Sequence, residues 1–238
     1  MIHGFADSRQ TWNRLLPKLV SYQQCIIAVS LRGFGDSQHF EMDKDTVFTI
    51  DEYTQDLLEL LAVMNIAKAI WMGHGFGTFV CQKVAIENEE IVHKLVLISP
   101  HYTLCNEVGL KWRKHLNAKN MDAYIENVRR EMNESLNDVK YAEQMMAECR
   151  KCNMKLLLEL LQSMMDFDSL QYVKHISCPV YILSGEKDEV FAMEEAHKIN
   201  KRIKSSVITC LPQMDHYLIW NKSAVSKMAL IIWDFCRQ

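Results

Sequence analysis

Apolar positions along this chain fall into short runs separated by longer amphipathic stretches. The runs are 25–31 (CIIAVSL), 67–73 (AKAIWMG), 93–99 (HKLVLIS), 178–185 (CPVYILSG) and 205–211 (SSVITCL). Each is short and mostly apolar, the pattern of a strand covered on both faces in a parallel sheet. Between them, apolar residues recur at helical spacing over about 8–20, 50–65, 76–90, 192–203 and 222–237, which predicts helices packed on that sheet. The alternation predicts an α/β fold: a mostly parallel sheet flanked by helices. The rhythm breaks once. Residues 101–170 carry helical periodicity without a strand pattern, which predicts an all-helical cap inserted between core segments 1–100 and 171–238.

Composition narrows the function classes. At 238 residues and 49% hydrophobic, the chain can build one α/β domain with an insertion and a large core. A net charge of -3, with no long Lys/Arg run, argues against nucleic acid or an anionic membrane as the main partner. No apolar run approaches the roughly 18 residues that span a bilayer, and a cytoplasmic location is expected. The partner expected is a small apolar or ester-like molecule, bound by a monomer or weak dimer.

The eight cysteines are scattered, several within apolar runs such as Cys25-Ile26-Ile27 and Ile208-Thr209-Cys210-Leu211, which predicts reduced, buried thiols. Cys149 and Cys152 form a C-x-x-C without a second ligand pair at zinc spacing, so neither a metal nor a cofactor is expected. Half of the 14 methionines, Met121, Met132, Met145, Met146, Met154, Met164 and Met165, lie in the cap segment. They could line an adaptable lid, but packing inside the helical layer is the plainer reading.

The strand at 67–73 runs into Gly73-His74-Gly75-Phe76-Gly77 and then a helical pattern. A strand–turn–helix of the form G-x-S-x-G exposes a strained nucleophile above the sheet, its flanking glycines leaving room for the turn. Here Gly75 stands where the nucleophile belongs. Phe76 would present the backbone N–H that faces a developing oxyanion.

With this elbow and its neighbours, the sequence resembles the α/β-hydrolase fold over nearly the whole chain, and in particular small-molecule esterases and carbon–carbon bond hydrolases. His3-Gly4-Phe5 is similar to the family's HG turn, which implies Phe5 as the second oxyanion donor. Leu31-Arg32-Gly33-Phe34-Gly35-Asp36-Ser37 resembles its R-G-x-G-x-S loop, with Ser30 where an aspartate is usual. Ser184-Gly185-Glu186-Lys187-Asp188 matches the G-x-x-D that delivers the triad acid. Leu211-Pro212-Gln213-Met214-Asp215-His216 follows the last strand, where the family carries its histidine. The resemblance therefore implies Asp188 and His216 as acid and base, in the family's order. Glu186 and Glu189 miss the G-x-x-D spacing, and His74 fits a structural role.

Glycine has no side chain, so an acyl-enzyme at position 75 is chemically closed. Thr78, Cys81 and Ser37 are the nearest alternative nucleophiles, and each lies off the elbow's apex. Three readings stand: a binder that kept the pocket, an enzyme whose His216–Asp188 pair activates water or abstracts a proton, and a structural or partner-binding derivative. The resemblance also places a strand between 25–31 and 67–73, and here that strand is reduced to Met1-Ile2. Its N-terminal part is expected to be missing, leaving unpaired backbone on both neighbours.

Overall fold

The computed structural model describes residues 1–20, 25–39, 46–105, 107–117, 121–136 and 138–238. Four strands, β1 (Ala69–His74), β2 (Val92–Ile98), β3 (Val180–Gly185) and β4 (Ser206–Leu211), form one parallel sheet in the order β1-β2-β3-β4. β2 is the most completely buried: Leu95, Val96, Leu97 and Ile98 have no exposed surface, as a two-sided apolar run requires. β4 is the outer strand, and its residues are largely half-buried or exposed.

Helices α1 (Leu16–Val20), α2 (Ile50–Val63), α3 (Phe76–Glu87), α8 (Met193–Arg202) and α9 (Lys222–Arg237) surround the sheet. α2 starts where Thr49 Oγ1 accepts from the Glu52 N–H at 3.2 Å, with Asp51 and Glu52 in its first turn. That is a satisfied cap with acids at the positive end of the helix dipole. α3 shows little sidedness and nine of its twelve residues are buried, which makes it the central helix behind the elbow. Between β2 and β3 run four further helices, α4 (Glu107–Asn117), α5 (Met121–Leu136), α6 (Val139–Cys149) and α7 (Met154–Asp166). No strand interrupts them among the described residues. Asp138 caps α6 and Asn153 caps α7.

Four expectations need correction. The run 25–31 does not form a ladder strand: Val29 makes one parallel bridge, to Ile2, and the rest lies outside any ladder. A strand is held by a neighbour's backbone, and among the described residues only Met1 and Ile2 supply it here, through the Val29 N–H to Met1 carbonyl bond and the Met1 ammonium to Ile27 carbonyl bond. The helix expected over 8–20 is split into a 3₁₀ turn, Arg9–Trp12, and the short α1, which Pro17 can enter only in its first turn. The helical pattern 76–90 likewise ends at Glu87 and resumes as a 3₁₀ turn at Glu89–Ile91. The cysteines also divide: Cys81, Cys149 and Cys152 are buried, but Cys25 and Cys210 are exposed, on the unladdered 25–31 segment and on β4.

All four strands run the same way, so their carboxyl ends share one edge of the sheet. The loops that follow β1, β3 and β4, together with the turn after Ile2, meet there. An open parallel sheet binds ligands at that edge. No described helix is long and apolar enough to cross a membrane.

Candidate active site

β1 ends at His74 and α3 begins at Phe76, so a single residue makes the whole turn. Gly75 has φ 51° and ψ -116°, a conformation that disfavours any L side chain. The turn is tight because α3 presses on the strand that leads into it. A Cβ on Gly73 would lie 2.4 Å from the Gly77 carbonyl oxygen, and one on Gly77 would lie 2.3 Å from that of Ile2. Position 75 is different. Its nearest neighbour would be the His216 imidazole, with Nε2 3.3 Å from an ideal Cβ. Flanking glycines are thus demanded by backbone packing, whereas the central one faces a catalytic-type histidine.

His216 follows β4 and Asp188 follows β3. Asp188 Oδ2 accepts from His216 Nδ1 at 3.1 Å, and Asp188 Oδ1 accepts from the Val190 and Phe191 N–H groups at 3.0 and 2.7 Å. The Asp188 side chain is fully buried. Burial alone would raise its carboxyl, but the His216 imidazole and the Phe191 N–H together hold it below the usual range. An ionised Asp188 fixes the Nδ1–H tautomer, so the lone pair of Nε2 points toward Gly75.

Two residues that line the same cavity carry backbone N–H groups without a backbone acceptor. Phe76 opens α3, so its N–H has no intrahelical acceptor. Phe5 N–H, in the turn after Ile2, has no acceptor among the described residues. The turn is held by His3, whose Nδ1–H donates to the Gly4 carbonyl at 2.8 Å while Nε2 accepts from the Leu31 N–H at 3.1 Å. His74 is a support as well: Nε2–H donates to the His216 carbonyl at 3.1 Å, and its ring lies 5.0 Å from that of His216. Gly4, Phe5, Phe76, His74 and His216 line a cavity of about 80 Å³, closed from the other side by Trp112, Tyr124, Met145 and Met146.

The structure brings together Phe5, Gly75, Phe76, Asp188 and His216, and places the remaining candidates in structural roles. Thr78 Oγ1 donates to the Gly75 carbonyl at 2.7 Å, and Ser37 Oγ donates to that of Ser30 at 3.0 Å. Burial pushes the Cys81 thiol up to about 12, which removes it as a nucleophile. Glu186 and Glu189 are exposed, and only Asp188 of the three acids meets His216. No metal-type cluster occurs among the described residues. Sequence reasoning missed Phe191, whose ring packs edge-to-face on His216 with centroids 5.1 Å apart and whose N–H orients Asp188. It also missed Tyr217, whose hydroxyl donates to Glu131 of α5 at 2.9 Å and ties the inserted helices to the histidine loop. An apolar residue three places after the acid was the one local trace of Phe191.

The buried imidazoles set a pH dependence. Burial lowers His3 to about 4, His74 to about 3 and His101 to about 4. A depressed imidazole binds a proton more readily in the unfolded chain, so stability falls as pH drops below 6.5. Asp7, raised by burial to about 7, works the other way in the same window, but one carboxyl opposes three rings. The melting temperature is expected to be lower at pH 5 than at pH 7, with about 2 kcal/mol per imidazole at stake. His74→Gln should flatten this dependence in thermal melts; an unchanged slope would exclude His74 as a contributor.

The family model described as serine aminopeptidase, S33, matches residues 1–222. The pimeloyl-[acyl-carrier protein] methyl ester esterase of Vibrio vulnificus is 22% identical over 231 residues, covering 91% of this chain and 86% of that protein. Strigolactone esterase RMS3 of Pisum sativum is 29% identical over 103 residues, 42% of this chain. This chain covers 38% of that pea protein and 40% of a probable esterase from Oryza sativa. Among solved structures, a thermophilic esterase from Thermogutta terrifontis superposes with TM-score 0.84 at 20% identity, covering 99% of this chain and 88% of the other. An enol-lactonase from Burkholderia xenovorans gives 0.82 at 14%, covering 100% and 90%.

Proposed function

This chain belongs to the serine aminopeptidase, S33, family and has the α/β-hydrolase fold, and from that premise we propose that it holds a small apolar or ester-like molecule in the cavity above Gly75 without serine-dependent acyl transfer. One observation carries the reading. His216, paired to Asp188, stands 3.3 Å from where a Cβ at position 75 would lie, Phe5 and Phe76 line the same cavity, and Gly75 has no atom that could attack. Acyl transfer through an acyl-enzyme needs that atom; binding and polarisation of a carbonyl do not. The Vibrio vulnificus relative is a methyl ester esterase and the Burkholderia xenovorans neighbour an enol-lactonase, which supports a carbonyl-bearing ligand.

A second reading rests on the same geometry. His216 Nε2 has no hydrogen-bond partner among the described residues, so a water placed over Gly75 could give its proton to Nε2 and attack a carbonyl held by the two amides. The pair would then run a slow, direct hydrolysis with no covalent intermediate.

Fluorophosphonate reagents separate both readings from a hidden serine enzyme. The protein is expected to show no adduct by intact mass after prolonged exposure, because capture needs an activated hydroxyl. A stoichiometric adduct at any residue would overturn the proposal. Binding itself is read by thermal shift with small esters, lactones and aromatic ketones. A ligand at a hundred times its dissociation constant stabilises by about 2.7 kcal/mol, and His216→Ala should weaken carbonyl ligands more than purely apolar ones.

A further inference from the structure

The cavity above Gly75 holds a second titratable group that hydrolysis does not use. Asp7 lines it together with His216, yet acyl transfer at an elbow needs one base, because the histidine itself returns the proton to the leaving group. Asp7 is 5% exposed, and its Oδ2 is buried with no hydrogen-bond partner among the described residues. Its Oδ1 accepts from the Ser8 N–H at 2.7 Å. The backbone beside it is bent: Ala6, which lines the same cavity, has φ 53°, a conformation that strains a residue with a side chain. Strain and an unused buried oxygen both oppose folding, and on a cavity wall they mark a group kept for chemistry.

That chemistry is proton donation. Burial, with Glu148 nearby adding to it, raises Asp7 to about 7, while the Thr11 hydroxyl and the Ser8 N–H work the other way. Near neutral pH this carboxyl can give up a proton, which an ordinary carboxylate cannot. His216 is its opposite: Asp188 accepts from Nδ1 at 3.1 Å, so Nε2 carries a lone pair. One residue of the lining takes a proton and another gives one. The other polar groups are engaged or unsuited: Glu131 accepts from the Tyr217 hydroxyl at 2.9 Å, burial pushes Cys149 up to about 12, and Lys111 is exposed.

We propose that the protein eliminates water from small apolar β-hydroxy carbonyl compounds, with His216 Nε2 as the base at the carbon next to the carbonyl and Asp7 as the acid at the hydroxyl. This rests on the binding reading above, in which the Phe5 and Phe76 amides hold the carbonyl. His216 removes an α-hydrogen as a proton, and the C–H electron pair moves onto the carbonyl oxygen as an enolate, which the two amides stabilise. The pair then returns to form the α,β double bond as the bond from the β-carbon to oxygen breaks. The departing hydroxyl takes the Asp7 proton and leaves as water. The proton on His216 passes through solvent to the Asp7 carboxylate, which restores both groups without an oxidant, a reductant or an acyl-enzyme. Glycine suits the step, since it leaves free the space where a Cβ at 75 would come within 3.3 Å of Nε2.

The test uses the native protein and the racemic aldol of benzaldehyde with acetone, a β-hydroxy ketone whose dehydration product, benzylideneacetone, absorbs in the near ultraviolet. In deuterium oxide, α-hydrogen exchange in the recovered aldol and release of the enone should each run at least about a hundredfold faster than in buffer alone. One enantiomer should be consumed while the other remains. His216→Ala should abolish both steps. Asp7→Asn should slow enone release at least about tenfold more than it slows exchange, because the enolate forms without the acid, and Asp7→Glu should recover part of the loss. The choice of one enantiomer by the native protein stands even if Asp7→Asn does not fold. The proposal fails if neither exchange nor enone release exceeds the buffer rate, if Asp7→Asn slows both equally, or if the racemate is consumed evenly. It also fails if benzaldehyde and acetone appear in place of the enone, since the base would then have taken the hydroxyl proton. Thermal stabilisation by the aldol without turnover would overturn the elimination and leave the binding reading intact. No stabilisation by any ester, lactone or ketone would remove the binding reading, and the elimination with it.

Discussion

Gly75→Ser is expected to raise hydrolysis of short p-nitrophenyl esters by at least about a hundredfold over the glycine form, since removal of a triad member costs several orders of magnitude. The new Cβ would sit 3.3 Å from His216 Nε2, and an Oγ beyond it falls within hydrogen-bonding reach of that nitrogen. His216 then takes the hydroxyl proton as Oγ attacks the carbonyl, and the Phe5 and Phe76 amides hold the oxyanion. The cost is conformational. At φ 51° a side chain is strained by about 1–3 kcal/mol, so the variant should be active and less stable at once. Asp188→Asn in the serine background should remove most of the gain by releasing the imidazole's tautomer. Fluorophosphonate labelling at position 75 must accompany the new activity. A folded Gly75→Ser protein with neither activity nor labelling would show that the acid, base and amides are not positioned as a working set.

The serine variant tests a site whose parts were readable for a simple reason. Gly75, Asp188 and His216 each follow directly on an apolar run that ends at the same edge of a parallel sheet, so strand direction alone brings them together. Asp188 could be chosen over Glu186 and Glu189 by spacing, and of the three it is Asp188 that is buried and accepts from the Phe191 amide. Phe5 was placed by its turn, which His3 then anchors to Leu31.

What could not be read depends on contacts between segments far apart in sequence. Phe191 on His216, Tyr217 on Glu131 and Trp112 over Phe5 have no periodicity that announces them. The methionines show the same limit: Met145 and Met146 line the cavity, whereas Met132 and Met164 are sealed inside, though all four lie on the helices between β2 and β3. The 25–31 run misled for a related cause. Its composition suits a buried strand, but a ladder depends on the neighbour as much as on the residues themselves, and two residues of neighbour hold one bridge.

The stub made by those two residues is the weakest link between fold and site, and Gly77→Ala should break it. A Cβ at 77 would meet the Ile2 carbonyl oxygen at 2.3 Å and the His3 carbonyl oxygen at 2.8 Å. Both contacts are backbone, so no rotamer change relieves them. Either α3 lifts from the sheet, or Met1-Ile2-His3 leaves the gap between Val29 and Gly73. Overpacking of this kind costs about 3 kcal/mol, a large share of the roughly 5–15 kcal/mol that holds a domain together. Gly75→Ala meets the His216 ring at 3.3 Å and the Gly4 Cα at an ordinary 3.8 Å, and should lose no more than the strain of its φ, about 1–3 kcal/mol. Urea unfolding of the two variants should therefore rank Gly77→Ala well below Gly75→Ala. Exchange at the Val29 and His74 amides, which the stub protects, should accelerate in the former and not in the latter. The stub also carries Phe5 into the site, so Gly77→Ala should erase the activity created by Gly75→Ser at temperatures where the double variant is still folded. Equal stability of the two alanine variants would mean that α3 yields freely at Gly77, and that the oxyanion donor at Phe5 does not depend on this contact.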